Sequence, residues 1–212
     1  MGTDEQINTL SRLFRVSHET ISSLKKYEKL LIKANNSLNL IGKSTLNQIW
    51  NRHFIDSFQV IDFIEKSDNS LIDMGSGAGF PGMVLAIAAK DKNIPIKITL
   101  VEKSKKKANF LNDIKNELNL NVHVICKNIL NDNEKLSSEV FVARAFKPFE
   151  IILELIHNKI ENFEKFFVFL GKTGSRDLLQ ASKNWDIKYK QRMSITSNDS
   201  FIIEINKLEK IN

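Results

Sequence analysis

Cysteine occurs once in 212 residues, at Cys126, which excludes an internal disulfide and any multi-cysteine metal site and fits a reducing compartment. The four histidines, 18, 53, 123 and 157, show no ligand spacing, so no metal is expected. No apolar run approaches the roughly 20 residues that a membrane span needs. The start, MGTDEQINTLSRLF, carries acids where a secretory signal carries basic residues, and Gln6 stands where a myristoylation start needs Ser or Thr; both point to a cytoplasmic protein. Repeats and low-complexity segments are also missing. A surplus of one charge sign is present but thin. The net charge of +6 divides as +1 over residues 1–70, +3 over 71–150 and +2 over 151–212, so a polyanionic partner is suggested without being localised.

What is present is periodicity. Over residues 1–67 the apolar positions recur at helical spacing: Ile7, Leu10 and Leu13, then Leu24, Tyr27 and Leu31, then Trp50, Phe54 and Phe58. From Ser70 onward, short apolar runs at 71–74, 96–102, 121–126, 139–145 and 165–171 read as strands, separated by helical patterns around 81–90, 104–118 and 148–162. Strands alternating with helices predict a mostly parallel sheet covered on both faces. The last two runs, WDIKYKQRMSI and SFIIEINKL, are close enough for a hairpin. The expected architecture is a helical N-terminal extension, 1–67, followed by a doubly wound α/β domain, 68–212.

Four of the eight glycines fall in one loop, 75–82, between the first strand and the first helix after it. Gly77, Gly79 and Gly82 fit the G-x-G-x-x-G pattern of nucleotide-cofactor loops, and Glu102, 20 residues beyond Gly82 at the next strand end, is placed to bond a ribose hydroxyl pair. A pyrophosphate would meet the carboxylate of Asp73 at the mouth of the first strand, and Pro81 removes an N–H it would want. S-adenosylmethionine has no phosphate, and its ammonium and sulfonium would be favoured by Asp73, so this cofactor is expected ahead of NAD. The Gly-Lys-Thr of FLGKTG, 169–174, is no phosphate loop, because Phe166 stands where that motif needs glycine.

These residues resemble a known family, the bacterial small-subunit (16S) rRNA guanine-N7 methyltransferases (RsmG, formerly glucose-inhibited division protein B). The resemblance is carried by NLIGK at 39–43, WNRHFIDS at 50–57, IDMGSGAGFPG at 72–82, VEKSKKKANFL at 101–111 and ARAF at 143–146, in the family's order and spacing. It implies a class I, Rossmann-like methyltransferase fold whose seven-stranded sheet ends in an antiparallel hairpin strand. It also implies that Gly75 and Phe80 line the cofactor loop beside Gly77 of the glycine pattern, that Glu102 holds the ribose, that Asn128 and Ile129 flank the adenine, and that Arg144 closes the site. Family members often carry an acid after the third strand. Here the segment is CKNILND, which leaves Asn128 or Asp132 to supply the polar adenine contact.

The absences bear on the chemistry too. Methylation at a pyrimidine C5 usually needs a cysteine nucleophile, and Cys126 reads as a core residue ending a buried strand. Exocyclic amines tend to use an Asn/Asp-Pro-Pro-aromatic loop after the fourth strand, where this chain has ARAFKPFE. Guanine N7 has an in-plane lone pair and no proton to lose, so alignment suffices. Arg144 is the expected catalytic residue, through its guanidinium fork. For RNA, the candidates are Arg52 and His53 at the cleft, Lys103, Lys105, Lys106 and Lys107 after the second strand, and a row of Lys188, Lys190 and Arg192 on alternate strand positions. Helical spacing also pairs Arg52 with Asp56 and His53 with Ser57. The expected partner is 16S rRNA or the small subunit, met by a monomer; a small-molecule acceptor and a non-catalytic assembly role are the competing classes.

Overall fold

The structure is a computed structural model and describes residues 2–211. The chain opens with helices α1 (Thr3–Phe14) and α2 (His18–Leu38). Ser17 starts α2 by accepting the Thr20 N–H at 3.2 Å, and left-handed Asn39 ends it. The expected helical segment around Trp50 is less regular: a 3₁₀ turn (Lys43–Gln48) and a wide π-type turn (Trp50–Ile55) lead into a single α-helical turn, α3 (Asp56–Phe58), and then a second 3₁₀ turn (Ile61–Phe63).

Then come β1 (Ser70–Met74), α4 (Gly82–Lys92), β2 (Lys97–Glu102), α5 (Lys105–Glu117), β3 (Val122–Cys126), β4 (Leu136–Ser137), β5 (Val140–Arg144), α6 (Phe149–Lys159), β6 (Ile160–Asn162), β7 (Lys165–Leu170), α7 (Gly174–Ala181), β8 (Trp185–Met193) and β9 (Phe201–Lys210). The seven-stranded sheet runs β3-β2-β1-β5-β7-β9-β8. All neighbours from β3 to β7 are parallel, whereas β9 is antiparallel to both β7 and β8. This is the class I methyltransferase fold, with the C-terminal hairpin where it was expected. Three elements escape the sequence patterns. Helix α7 follows the Gly-Lys-Thr segment, and β4 pairs with β6 in a separate parallel ribbon, so that the helix expected over 148–162 ends at Lys159.

Alternation along the strands divides the core. Leu71, Leu100, Val140, Val142 and Phe167 face one side and pack with α4, α5 and the N-terminal helices, so Leu10, Leu24, Tyr27, Trp50 and Phe58 share one apolar cluster with the sheet. Val101, Phe141, Ala143, Phe166 and Val168 face the other side, under α6 and α7. The extension thus lies against the sheet face that carries α4. The switch in strand order falls between β1 and β5, and the crevice beyond the carboxyl ends there is where open α/β sheets bind ligands.

Candidate active site

A cavity of about 480 Å³ opens at that crevice, a size suited to a small-molecule ligand. Of the expected cofactor residues, Gly75, Gly77, Phe80, Glu102, Asn128, Ile129 and Arg144 all line it, joined by His53, Lys103 and Lys107 from the expected RNA set.

The glycine loop uses three positive φ angles, +74° at Gly75, +57° at Gly77 and +98° at Gly79, that side chains rarely adopt. A Cβ at Gly75 would enter the Phe146 ring, and one at Gly82 would lie 2.6 Å from the Asp73 carboxylate. The loop is fastened from the next strand: Glu102 accepts the Gly77 N–H at 2.9 Å and the Ser104 N–H at 2.7 Å. Each carboxylate oxygen keeps a lone pair for a ligand hydroxyl. Asn128 opens the cavity's third wall and holds its turn by accepting the Leu130 N–H. Asp132, the alternative adenine contact, is instead ion-paired with Lys127.

Asp73 takes a different place from the one expected. It lies behind the cavity wall, wholly buried, and its Oδ2 accepts the N–H of Gly82 at 3.0 Å. Burial raises its pKa to about 7, opposed by the Gly82 and Ser76 hydrogen bonds. The carboxylate therefore fills the N-terminus of α4, where a phosphate would otherwise bind, and excludes pyrophosphate by occupancy rather than by facing the ligand.

Arg144 ends β5 and is held by the extension. Its Nε lies 3.2 Å from the Asp56 carboxylate, its fork donates to the Arg52 carbonyl and to Ser57 Oγ, and the guanidinium stands 5.9 Å from the Phe80 ring centre. Asp56 is thus the partner of Arg144 and not of Arg52, and it also accepts from Ser194, Thr196 and Gln59. His53 stacks on Phe80 at 4.8 Å and its Nε2 meets Thr45 Oγ1 at 3.0 Å. Burial, with Arg144 and Arg52 nearby, lowers its pKa to about 3. His53 is therefore a neutral ring at physiological pH, and its partner is Thr45 rather than Ser57.

The basic candidates separate. Lys103, Lys107 and Lys147 line the cavity and make no ion pair with another described residue, while Lys105, Lys106 and Arg52 are exposed beside it. The row on β8 lies three strands beyond β5. There Lys190 and Arg192 both pair with buried Glu204, at 3.3 and 2.8 Å, and Arg192 covers Phe63 at 3.8 Å, leaving Lys188 as the member of the row with no ion pair to another described residue. Cys126 is exposed and not in the core, because β3 is the edge of the sheet. Sequence reasoning missed Lys147, Phe146 and Thr45; ARAFKP was the nearest signal for the first two.

A profile of the GidB family, described as rRNA small subunit methyltransferase G, matches residues 20–203. The chain belongs to the rRNA small subunit methyltransferase G family. It is 38% identical over 199 residues to the protein of that name from Pelagibacter ubique (strain HTCC1062), covering 93% of each chain, and 33% identical over 199 residues to the one from Rickettsia felis, covering 94% of this chain and all of the relative. Among solved structures it is similar to an O-methyltransferase from Bacillus cereus in complex with S-adenosylhomocysteine, with a TM-score of 0.56 at 15% identity, covering 86% of this chain and 91% of that one. It is also similar to M. capricolum TrmK in complex with S-adenosylhomocysteine, with a TM-score of 0.53 at 20% identity, covering 71% and 67%. At such identities these structures speak for the fold, which agrees with the strand order above. For a family named as methyltransferases, the site offers a glycine cradle, a carboxylate and a fork-shaped cation around one cavity. Among the described residues no group of His, Cys, Asp or Glu is placed to hold a metal.

Proposed function

We propose that the protein is an S-adenosylmethionine-dependent methyltransferase acting on N7 of a guanine in the 16S rRNA of the small ribosomal subunit. Family membership supports the substrate class. The observation that carries the atom specificity is the lack of a poised base among the cavity's described side chains. Its one carboxylate, Glu102, is bonded to two backbone N–H groups; its one imidazole, His53, has a pKa near 3; its remaining ionisable groups are cations. A site of that kind suits a nucleophile that already has a free lone pair and loses no proton.

The residues fit the cofactor. Gly75 and Gly77 leave room along the loop, Glu102 is placed to accept from ribose hydroxyls, Asn128 and Ile129 flank the adenine end, and Phe80 walls the side nearest Arg144. When bound, S-adenosylmethionine supplies an activated methyl group. The chain's own contribution is alignment: Glu102 and the glycine loop fix one reactant, while Arg144, its guanidinium braced by Asp56, Ser57 and the Arg52 carbonyl, holds a fixed positive charge on the wall that the other reactant meets. Lys103, Lys107 and Lys147 favour entry of the phosphate backbone. N7 lies in a deep, narrow groove of A-form RNA, so an unpaired or extruded guanine is the form that reaches the cavity.

In this reading residues 1–67 and 68–212 build one active site between them, and the protein works in the cytoplasm as a monomer. The deciding experiment incubates it with methyl-labelled S-adenosylmethionine and unmodified small subunits, then maps the label by reduction and aniline cleavage, which cuts at N7-methylguanosine. One cleavage site in 16S rRNA supports the proposal. Bound cofactor without RNA label refutes the substrate.

A further inference from the structure

One side-chain contact to the glycine loop comes from outside the α/β domain. Tyr27 lies on α2, fully buried, and its hydroxyl donates to the carbonyl of Ala78 at 2.5 Å. Ala78 sits between two left-handed glycines, at the crown of the loop. The fit is tight enough to dictate the next residue, since a Cβ at Gly79 would stand 2.3 Å from the same hydroxyl. The ring extends the hold by lying against Phe80 at 5.7 Å and Phe54 at 5.5 Å.

We propose that Tyr27 is a positioning residue that sets the cofactor affinity of the glycine loop from the N-terminal extension. Glu102 fastens the loop on its cavity side through Gly77, and Tyr27 fastens it on the far side through Ala78, so the left-handed conformation is held in place before any ligand arrives. A loop fixed in its binding shape avoids the ordering cost that a free loop would bear on ligand binding. Packing alone would not need the hydroxyl. A phenylalanine would fill the same space, yet the buried oxygen of Ala78 would then have no donor from Tyr27, and the loop would relax toward water to satisfy it. Burial, with Asp73 nearby, holds the phenol far above its usual pKa, so the donor proton stays on at any working pH.

This inference rests on the S-adenosylmethionine reading and is tested separately from it. The test is Tyr27→Phe in the full-length protein, with the Kd for S-adenosylhomocysteine measured by calorimetry well below the melting temperature. The Kd should rise roughly 5- to 50-fold, as expected for one buried acceptor losing its partner. KM for S-adenosylmethionine should rise with it, while KM for small subunits stays within about twofold. A lowered melting temperature with unchanged Kd would make Tyr27 a core residue only and overturn the inference. So would a change confined to KM for the subunits. Wild-type protein that binds no S-adenosylhomocysteine would instead overturn the cofactor reading. Hydrogen exchange of the wild type gives a check that needs no variant: without cofactor, the amides of Gly79 and Phe80, both bonded to the Ser76 carbonyl, should exchange as slowly as those of β1, and free exchange there would sink the idea.

Discussion

Arg144 at the end of β5 and Asp56 at the start of α3 meet at 3.2 Å, both side chains about one-seventh exposed, so an ion pair joins the extension to the sheet at the rim of the cavity. Removing the arginine leaves Asp56 with its three other hydrogen-bond donors, which limits the cost of stranding its charge. Arg144→Ala should therefore lower stability by about 2 kcal/mol and methyl transfer at least 100-fold. Arg144→Lys keeps the charge but not the fork and should retain the fold with transfer down at least tenfold. Thermal melts beside single-turnover methyl transfer check both; an active Ala variant would remove Arg144 from the site.

A second prediction concerns Asp73. Its pKa is raised to about 7 from an ordinary 3.8, so between those values the folded protein binds a proton that the unfolded chain has released. This contribution is fully present below about pH 4, declines as pH rises, and is gone above about 7, with an upper bound of about 4 kcal/mol. Asp73→Asn keeps an oxygen for the Gly82 N–H and cannot ionise. The variant's stability relative to wild type should rise steadily from pH 4 to 7, and urea melts across that range would show a flat difference if Asp73 were already charged.

His53 carries the opposite slope. With a folded pKa near 3 against an ordinary 6.5, its contribution is present above 6.5 and is lost as pH falls toward 3. The two effects offset each other in wild-type protein over the shared window, which is why single variants are needed to see either. Nitrogen-15 NMR should show the His53 imidazole still neutral at pH 5. A His53 that titrates near 6.5 would break the stacked arrangement with Phe80 described above.

How much of this was legible from the sequence follows from how local each feature is. The glycine loop, Glu102 and the end of β5 are written in short motifs whose geometry is set within a strand, a turn and a helix, and each stands on the cavity as expected. Asp73 was legible as an acid beside the loop but not in its direction, because a strand residue one position away would point to the other face. Tyr27 reads only as one more apolar position of α2; its bond to Ala78 spans 51 residues and exists only once the extension docks. The pairing of Arg144 with Asp56, rather than of Arg52 four residues before it, is likewise a product of docking. Helix α7 is eight residues long, and β4 and β6 have two and three, too few for a period to show.

The last prediction separates two sets of cations that look alike in sequence. Lys103, Lys107 and Lys147 stand free at the cavity, whereas Lys190 and Arg192 neutralise Glu204, which is only 3% exposed in the hairpin. Free lysines that touch phosphates release counterions on binding, each adding about 0.7 to 0.9 to the slope of log affinity against log salt. Replacing Lys103, Lys107 and Lys147 together with Ala should reduce that slope for 16S rRNA by about 2 to 3 and leave the melting temperature almost unchanged. Arg192→Ala should do the reverse. It uncovers Phe63 and leaves Glu204 with the weaker, more exposed Lys190, so stability should fall by about 1 to 3 kcal/mol while the salt slope stays put. Filter binding at several salt concentrations, run beside thermal melts, decides between the two surfaces. A slope that falls with Arg192→Ala and not with the triple variant would move the RNA contact from the cavity rim to the hairpin.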